Sequence, residues 1–213
     1  LEMQQRLSLV QYTLSYDGFD NIDLVIEAVP ENIEIKRAVM KELSQVCPPE
    51  AILASNTSAL SISEIGAASG RSGQVVGMHF FNPAHIMRLV EVVATDFTAP
   101  EKLDQAVNLV KKFGKIPVLT KDSPGFIVNR VARHFYVESL KVMEDGVADY
   151  PEIDKLLEAS GFRMGPFELM DFIGNDINYT VTETVPTGWD ATTSPTVTVT
   201  IEVGNSPPVA EDS

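Results

Sequence analysis

Positive charge runs out early in this chain. Nothing basic follows Arg163, and across 213 residues 16 Lys and Arg face 30 Asp and Glu, a formal net charge of −14. A nucleic-acid binder needs a basic face, so no nucleic-acid partner is expected. Cysteine is scarcer still. Cys47 stands alone, which rules out an internal disulfide and suits a reducing, cytoplasmic setting. The three histidines, His79, His85 and His134, show no zinc-ligand spacing with a cysteine or with one another, so no metal is expected. No apolar run is long enough to span a bilayer. The opening Leu1-Glu2-Met3-Gln4-Gln5-Arg6 lacks the layout of a secretory signal, and no membrane partner is expected.

What the chain does have is alternation between short apolar runs and amphipathic stretches. Residues 24–29 read as a strand covered on both faces, and 31–46 as a helix with Ile35, Val39, Leu43 and Val46 on one side. Residues 51–54, 75–79, 89–93 and 117–120 read as further strands. Ser61 with Glu64 suggests a capping box, and 100–113 a helix ended by Gly114. Strands alternating with helices predict a parallel sheet of βαβ units. From Ser123 the pattern changes to helices alone, over 126–144, 151–160 and 167–173.

Two residues interrupt the strand runs in a way that carries chemistry. His79 ends one apolar run, in Gly77-Met78-His79-Phe80-Phe81-Asn82-Pro83, and Glu91 breaks the next, Leu89-Val90-Glu91-Val92-Val93. A carboxylate in a buried strand is costly unless paired, and an imidazole held by a carboxylate is a general base with a fixed tautomer. For an isolated pair, the blander reading is a strand-end histidine and an acid on a solvated sheet edge.

The surrounding motifs narrow the choice. Asp23-Leu24-Val25-Ile26-Glu27-Ala28-Val29-Pro30-Glu31-Asn32 comes first, and Ser55-Asn56-Thr57-Ser58 precedes the histidine. Asp122-Ser123-Pro124-Gly125-Phe126-Ile127-Val128-Asn129-Arg130 and Gly165-Pro166-Phe167-Glu168-Leu169-Met170-Asp171 follow it. In this order they resemble the L-3-hydroxyacyl-CoA dehydrogenase family, including 3-hydroxybutyryl-CoA dehydrogenases, over residues 16–182. The resemblance implies NAD-dependent oxidation of an L-3-hydroxyacyl-CoA to the 3-oxoacyl-CoA. His79 would be the base, Glu91 its orienter, and Ser58 and Asn129 donors to the substrate oxygen. It implies cofactor contacts from Glu31, Lys36, Asn56, Ser58 and Asn82, substrate contacts from Ser58, Lys36 and Asn129, an acyl-CoA substrate and a homodimer. Without it, Ser58 reads as a turn or cap residue, Asn129 as an exposed helix polar, and Glu31 and Lys36 as a helix-start pair.

The fold class expected is therefore α/β: the later strands of a Rossmann-type parallel sheet, then an incomplete all-helical domain and a short β-like tail. The boundaries fall at 1–121, 122–182 and 183–213. A dinucleotide fold carries G-x-G-x-x-G after its first strand, and this chain contains no G-x-G. The strand at 24–29 is then expected to stand as a sheet edge. Residues 183–213, with Thr-Glu-Thr-Val-Pro-Thr-Gly-Trp and an alternating Val-Thr run before Pro207-Pro208, resemble repeat modules of bacterial surface proteins. Two functions follow: a dehydrogenase, or a catalytically inactive fragment or fusion carrying a surface-type module.

Overall fold

Asn32 sets where the first long helix begins. Its backbone is extended and its side-chain oxygen accepts from the amides of Glu34 and Ile35, which satisfies two donors that a helix start leaves open. Helix α1 therefore runs Ile33–Val46, and Glu31 stays outside it. Lys36, Met40 and Leu43 make the buried face. Cys47 leaves in extended backbone ahead of two prolines, which cannot continue a helix. These assignments come from a computed structural model that describes residue 4 and residues 7–173. All belong to one of the two units into which the chain divides, Leu1–Thr182. The expected tail at 183–213 lies outside the described residues.

The sheet has five strands in sequence order: β1 (Leu24–Glu27), β2 (Ile52–Ser55), β3 (Val75–Phe80), β4 (Leu89–Ala94) and β5 (Ile116–Lys121). Helices α2 (Ile62–Ser69) and α3 (Pro100–Lys112) complete this half. The β1–β2, β2–β3 and β4–β5 pairs are parallel, but β3 and β4 are antiparallel. That corrects the all-parallel expectation. A parallel return needs a crossover of about a dozen residues or more, and only residues 81–88 join β3 to β4, so the chain must double back. Among the described residues β1 pairs with β2 alone and ends the sheet, with Ile26 partly open to solvent.

Both faces of the sheet are covered, and the period-two alternation of strands sorts residues between them. Leu53, Val75 and Val93 join Met40, Leu43, Ile62 and Ile65 on one face. Ile52, Val76, Met78, Val90 and Val92 join Ala106 and Val110 of α3 on the other. The alternation puts His79 and Glu91 on the first face, in line with Gly77 and Val93. A Cβ on Gly77 would lie 2.6 Å from the Cβ of Val93, its cross-strand partner, so only glycine fits there.

After β5 the chain is helical: α4 (Val128–Glu144), α5 (Tyr150–Ala159) and α6 (Pro166–Ile173). Helix α4 starts two residues later than expected because Gly125 and Phe126 both take left-handed backbone, φ 71 and 47. Asp154 of α5 accepts from the amides of Phe167 and Glu168 at the start of α6 (2.9 and 3.1 Å). A side chain on Gly165 would collide with that carboxylate. Among the described residues no helix is long and apolar enough to cross a membrane.

Gly77→Ala tests the close approach of β3 and β4. The substitution is expected to destabilise the fold by about 1–3 kcal/mol, the usual cost of overpacking. Urea unfolding at neutral pH measures it, and an unchanged midpoint would show that the strands yield without cost.

Candidate active site

The antiparallel register sets His79 directly opposite Glu91, where cross-strand side chains on one face meet. His79 Nδ1 lies 2.8 Å from Glu91 Oε2. Glu91 is wholly buried and His79 is 5% exposed. The other carboxylate oxygen, Oε1, accepts from the amides of Ile127 and Val128, both at 2.9 Å. These are orphan donors at the start of α4, where partial positive charge favours an anion. Burial alone would push the Glu91 carboxyl up. The hydrogen bond from His79, the two amides and the imidazole's charge outweigh it and hold the carboxyl below its ordinary range. The rings of Phe81 and Phe126 flank the imidazole at 4.5 and 5.7 Å between centroids. The left-handed turn at Gly125-Phe126 thus serves two ends: it sets Phe126 beside His79 and aims the next two amides at Glu91.

A second carboxylate centre lies at the carboxyl ends of β1 and β2. Glu31 Oε1 accepts from the Thr57 hydroxyl (2.5 Å) and from the amides of Ser58 (2.8 Å) and Ala59 (3.2 Å), fixing the turn that carries Ser58. Behind it, Lys36 is 1% exposed. Its ammonium donates to Glu27 Oε1 (2.8 Å) and the Val29 carbonyl (3.0 Å), with Glu31 Oε2 at 3.4 Å. Glu27 also accepts from the Val29 amide (2.7 Å) and the Ser55 hydroxyl (2.6 Å). Glu27, Ser55 and Thr57 carry no role in the sequence reading. The signal for Glu27 was present: it is a lone acid in an apolar strand run, like Glu91. Asp122 was also missed. It accepts from the Ser61 hydroxyl and the amides of Ile62 and Ser63 (2.9, 3.0 and 2.8 Å). The expected Ser61 cap is thereby tied to the start of the helical half; Ser61 itself accepts from the Glu64 amide.

A cavity of about 400 Å³ opens against these centres. Of the expected site residues, Ser58, His79, Asn82 and Asn129 line it. Glu91, Glu31, Lys36 and Asn56 are not among the lining residues. Asn56 accepts from the Phe80 amide (2.8 Å), and Asn129 Nδ2 donates to the Ser58 carbonyl (3.1 Å). That bond joins α4 to the turn held by Glu31. The outer wall comes from Arg133 and Tyr136 of α4 and Leu169, Phe172 and Ile173 of α6. Burial pushes the Tyr136 hydroxyl up from its ordinary value.

Comparison with known proteins gives this geometry a family context. Residues 1–123 match the family description "3-hydroxyacyl-CoA dehydrogenase, NAD binding domain", and residues 125–204 match its C-terminal domain. The second match runs past residue 182 and lends no support to a surface-repeat tail. The chain is 48% identical over 161 residues to 3-hydroxyadipyl-CoA dehydrogenase of Escherichia coli, covering 75% of this chain and 34% of that protein. It is 44% identical over 175 residues to the fatty acid oxidation complex subunit alpha of Acinetobacter baylyi, covering 82% and 24%. Among solved structures, (S)-3-hydroxybutyryl-CoA dehydrogenase of Ralstonia eutropha superposes with a TM-score of 0.79 at 35% identity, covering 85% of this chain and 65% of that one. The chain thus spans about a third or less of the length of these curated relatives.

Two substitutions probe the carboxylate centres. Because the native Glu91 carboxyl is held low, its contribution is complete above the unfolded value, about 4.3 for glutamate. It drains as pH falls through the lowered native value. The stability gap between wild type and Glu91→Gln is expected to be narrower at pH 3 than at pH 5 in urea titrations; an equal gap contradicts the assignment. Glu27→Ala leaves Lys36 buried without its nearest carboxylate and is expected to cost about 3–5 kcal/mol. A loss below 1 kcal/mol in the same assay would mean that Glu31 alone suffices for Lys36.

Proposed function

This chain belongs to the 3-hydroxyacyl-CoA dehydrogenase family, and from that premise we propose that it interconverts an L-3-hydroxyacyl-CoA and the 3-oxoacyl-CoA. The observation that carries the reading is the His79–Glu91 pair at the wall of a cavity that Ser58 and Asn129 also line. An ionised carboxylate only accepts hydrogen bonds. Nδ1 of His79 therefore carries the proton toward Glu91, and the Nε2 lone pair is left for the substrate. In the oxidising direction Nε2 takes the proton of the 3-hydroxyl, and the imidazolium that forms is stabilised by Glu91. In the reducing direction the proton returns to the same oxygen. Ser58 Oγ and Asn129 Nδ2 are the donors for the charge that develops there.

Bound NAD supplies the hydride acceptor at the substrate carbon. In open α/β sheets a dinucleotide lies beyond the carboxyl ends of the strands. The polar turn after β2 and Glu31 after β1 occupy that edge and suit the nicotinamide end. Asn56, Ser58 and Asn82 complete the set proposed to hold it. Lys36, with its ammonium engaged by Glu27, Val29 and Glu31, would act on both ligands through Glu31. No residue of this chain is assigned to the pyrophosphate, since the chain has no G-x-G turn. The same reading takes residues 1–121 as nucleotide domain and 122–182 as helical domain, with a homodimer and a cytoplasmic setting.

NADH oxidation with acetoacetyl-CoA tests the proposal on this chain. His79→Gln is expected to lower turnover by about 10²–10⁴, the usual contribution of a general base, while NADH affinity by fluorescence stays near wild type. Turnover that survives in the variant removes His79 from the mechanism. A wild-type chain that binds both ligands without turnover favours the inactive-fragment alternative.

A further inference from the structure

Asp122 is the residue at which the sheet half passes into the helical half, and it is tied to both. Its backbone amide donates to the Ala94 carbonyl at the end of β4 (3.0 Å). Its carboxylate reaches the start of α2. Oδ1 accepts from the Ile62 amide, and Oδ2 from the Ser61 hydroxyl and the Ser63 amide. Ser61 in turn accepts from the Glu64 amide, so the first three amides of α2 are all satisfied by side chains. A helix of eight residues is too short to hold its start unaided, and these bonds decide where α2 begins.

Ser58 stands three residues before Ser61, and the segment between them is fixed from two sides. Glu31 takes the amides of Ser58 and Ala59, the Thr57 hydroxyl takes that of Leu60 (3.0 Å), and Asp122 takes those of Ile62 and Ser63. Of these anchors only Asp122 belongs to the segment that leads to Asn129, seven residues on. That segment returns to the same turn through the Asn129–Ser58 bond. The two contacts close a small ring that carries both donors assigned to the substrate oxygen. Ala59 and Ser61 face Asp122, Ser123 and Pro124 across a cleft of about 80 Å³. Apolar packing does not fill that space, so the hydrogen bonds of Asp122 carry the contact.

We propose that Asp122 is a positioning residue for the reaction, setting the spacing of Ser58 and Asn129 around the substrate oxygen without touching substrate or cofactor. The inference rests on the dehydrogenase reading, which makes Ser58 and Asn129 the donors. Donors for developing charge act through fixed geometry, and a misplacement of about 1 Å can cost about 10²-fold in rate. Asp122 is not among the residues that line the cavity of His79. Its loss is therefore expected to fall on turnover and to spare binding.

The test is NADH oxidation with acetoacetyl-CoA by wild type, Asp122→Ala, Asp122→Asn, Asn129→Ala and the double variant with alanine at both positions. Asp122→Ala is expected to lower kcat by about tenfold or more, with KM for both ligands near wild type. Asp122→Asn keeps one oxygen for the α2 amides, so its loss should be smaller; it also guards against misfolding of the alanine variant. In the Asn129→Ala background the further loss from Asp122→Ala should shrink to about threefold or less, because one of the donors it places is gone. Losses that multiply in full reduce Asp122 to a helix cap and overturn the proposal. An unchanged kcat, or a raised KM alone, overturns it too. A second readout needs no turnover: the carbon-13 shift of the labelled 3-oxo carbon in bound acetoacetyl-CoA. Donation from Ser58 and Asn129 polarises that carbonyl and moves its signal downfield, and Asp122→Ala should reverse part of the displacement. A displacement equal in wild type and Asp122→Ala overturns the proposal whatever the turnover. A displacement lost in the variant, with no NADH turnover by wild type, sinks the dehydrogenase reading and leaves the placement of the donors by Asp122 standing. A chain that binds no acetoacetyl-CoA removes both.

Discussion

The carboxylate of Glu91 joins three parts of the molecule, strands β3 and β4 and the start of helix α4. One oxygen holds His79 across the β3–β4 pair, and the other holds the first amides of α4. A buried anion persists only with such partners. Each partner therefore constrains the others: the strand register, the left-handed turn at Gly125-Phe126 and the helix start must all agree. A slip of one residue in β4 would turn Glu91 to the opposite face and leave both the imidazole and the helix amides without it. Asn129 then follows from the helix start, and its bond to the Ser58 carbonyl closes a ring of contacts around the cavity.

The same solution recurs at β1. Glu27 is again a single acid in an apolar strand, and it is again saturated, by Lys36, Ser55 and a backbone amide. Glu31 spends one oxygen on the turn at Thr57-Ser58-Ala59 and turns the other toward Lys36. The polar floor of the site thus rests on buried, mutually satisfied charges, and Ser58 is held through backbone amides. Lys36 sits in the middle of this arrangement, out of solvent. Lys36 is not among the residues that line the cavity, and its ammonium is engaged by Glu27, Val29 and Glu31.

Much of this was legible in the chain. The strand and helix segments stand near where apolar periodicity put them; the cost of a charge in a strand suggested the pairing of His79 with Glu91, and the surrounding motifs favoured it over an acid on a solvated edge. Glu27 was legible by the same argument, inside the first of the motifs, but its partners Lys36 and Ser55 lie 9 and 28 residues away and the local sequence does not point to them. The helix starts were misjudged by two residues at α1 and α4. In each case a capping or left-handed residue, Asn32 or Phe126, breaks the helix before the apolar pattern does.

By itself the sequence determined the local alternatives: which segments favour strand or helix, where glycine or proline must end them, and which residues bear chemistry. It also determined the lone acids in apolar runs, since their burial cost is a property of residue type. Only the tertiary structure decided that β3 and β4 run antiparallel, that Glu91 serves two partners, and that Arg133 shares a cavity with the imidazole. Those facts depend on contacts between residues far apart in the chain, whose geometry is set by the twist and register of a packed sheet and not by any local preference.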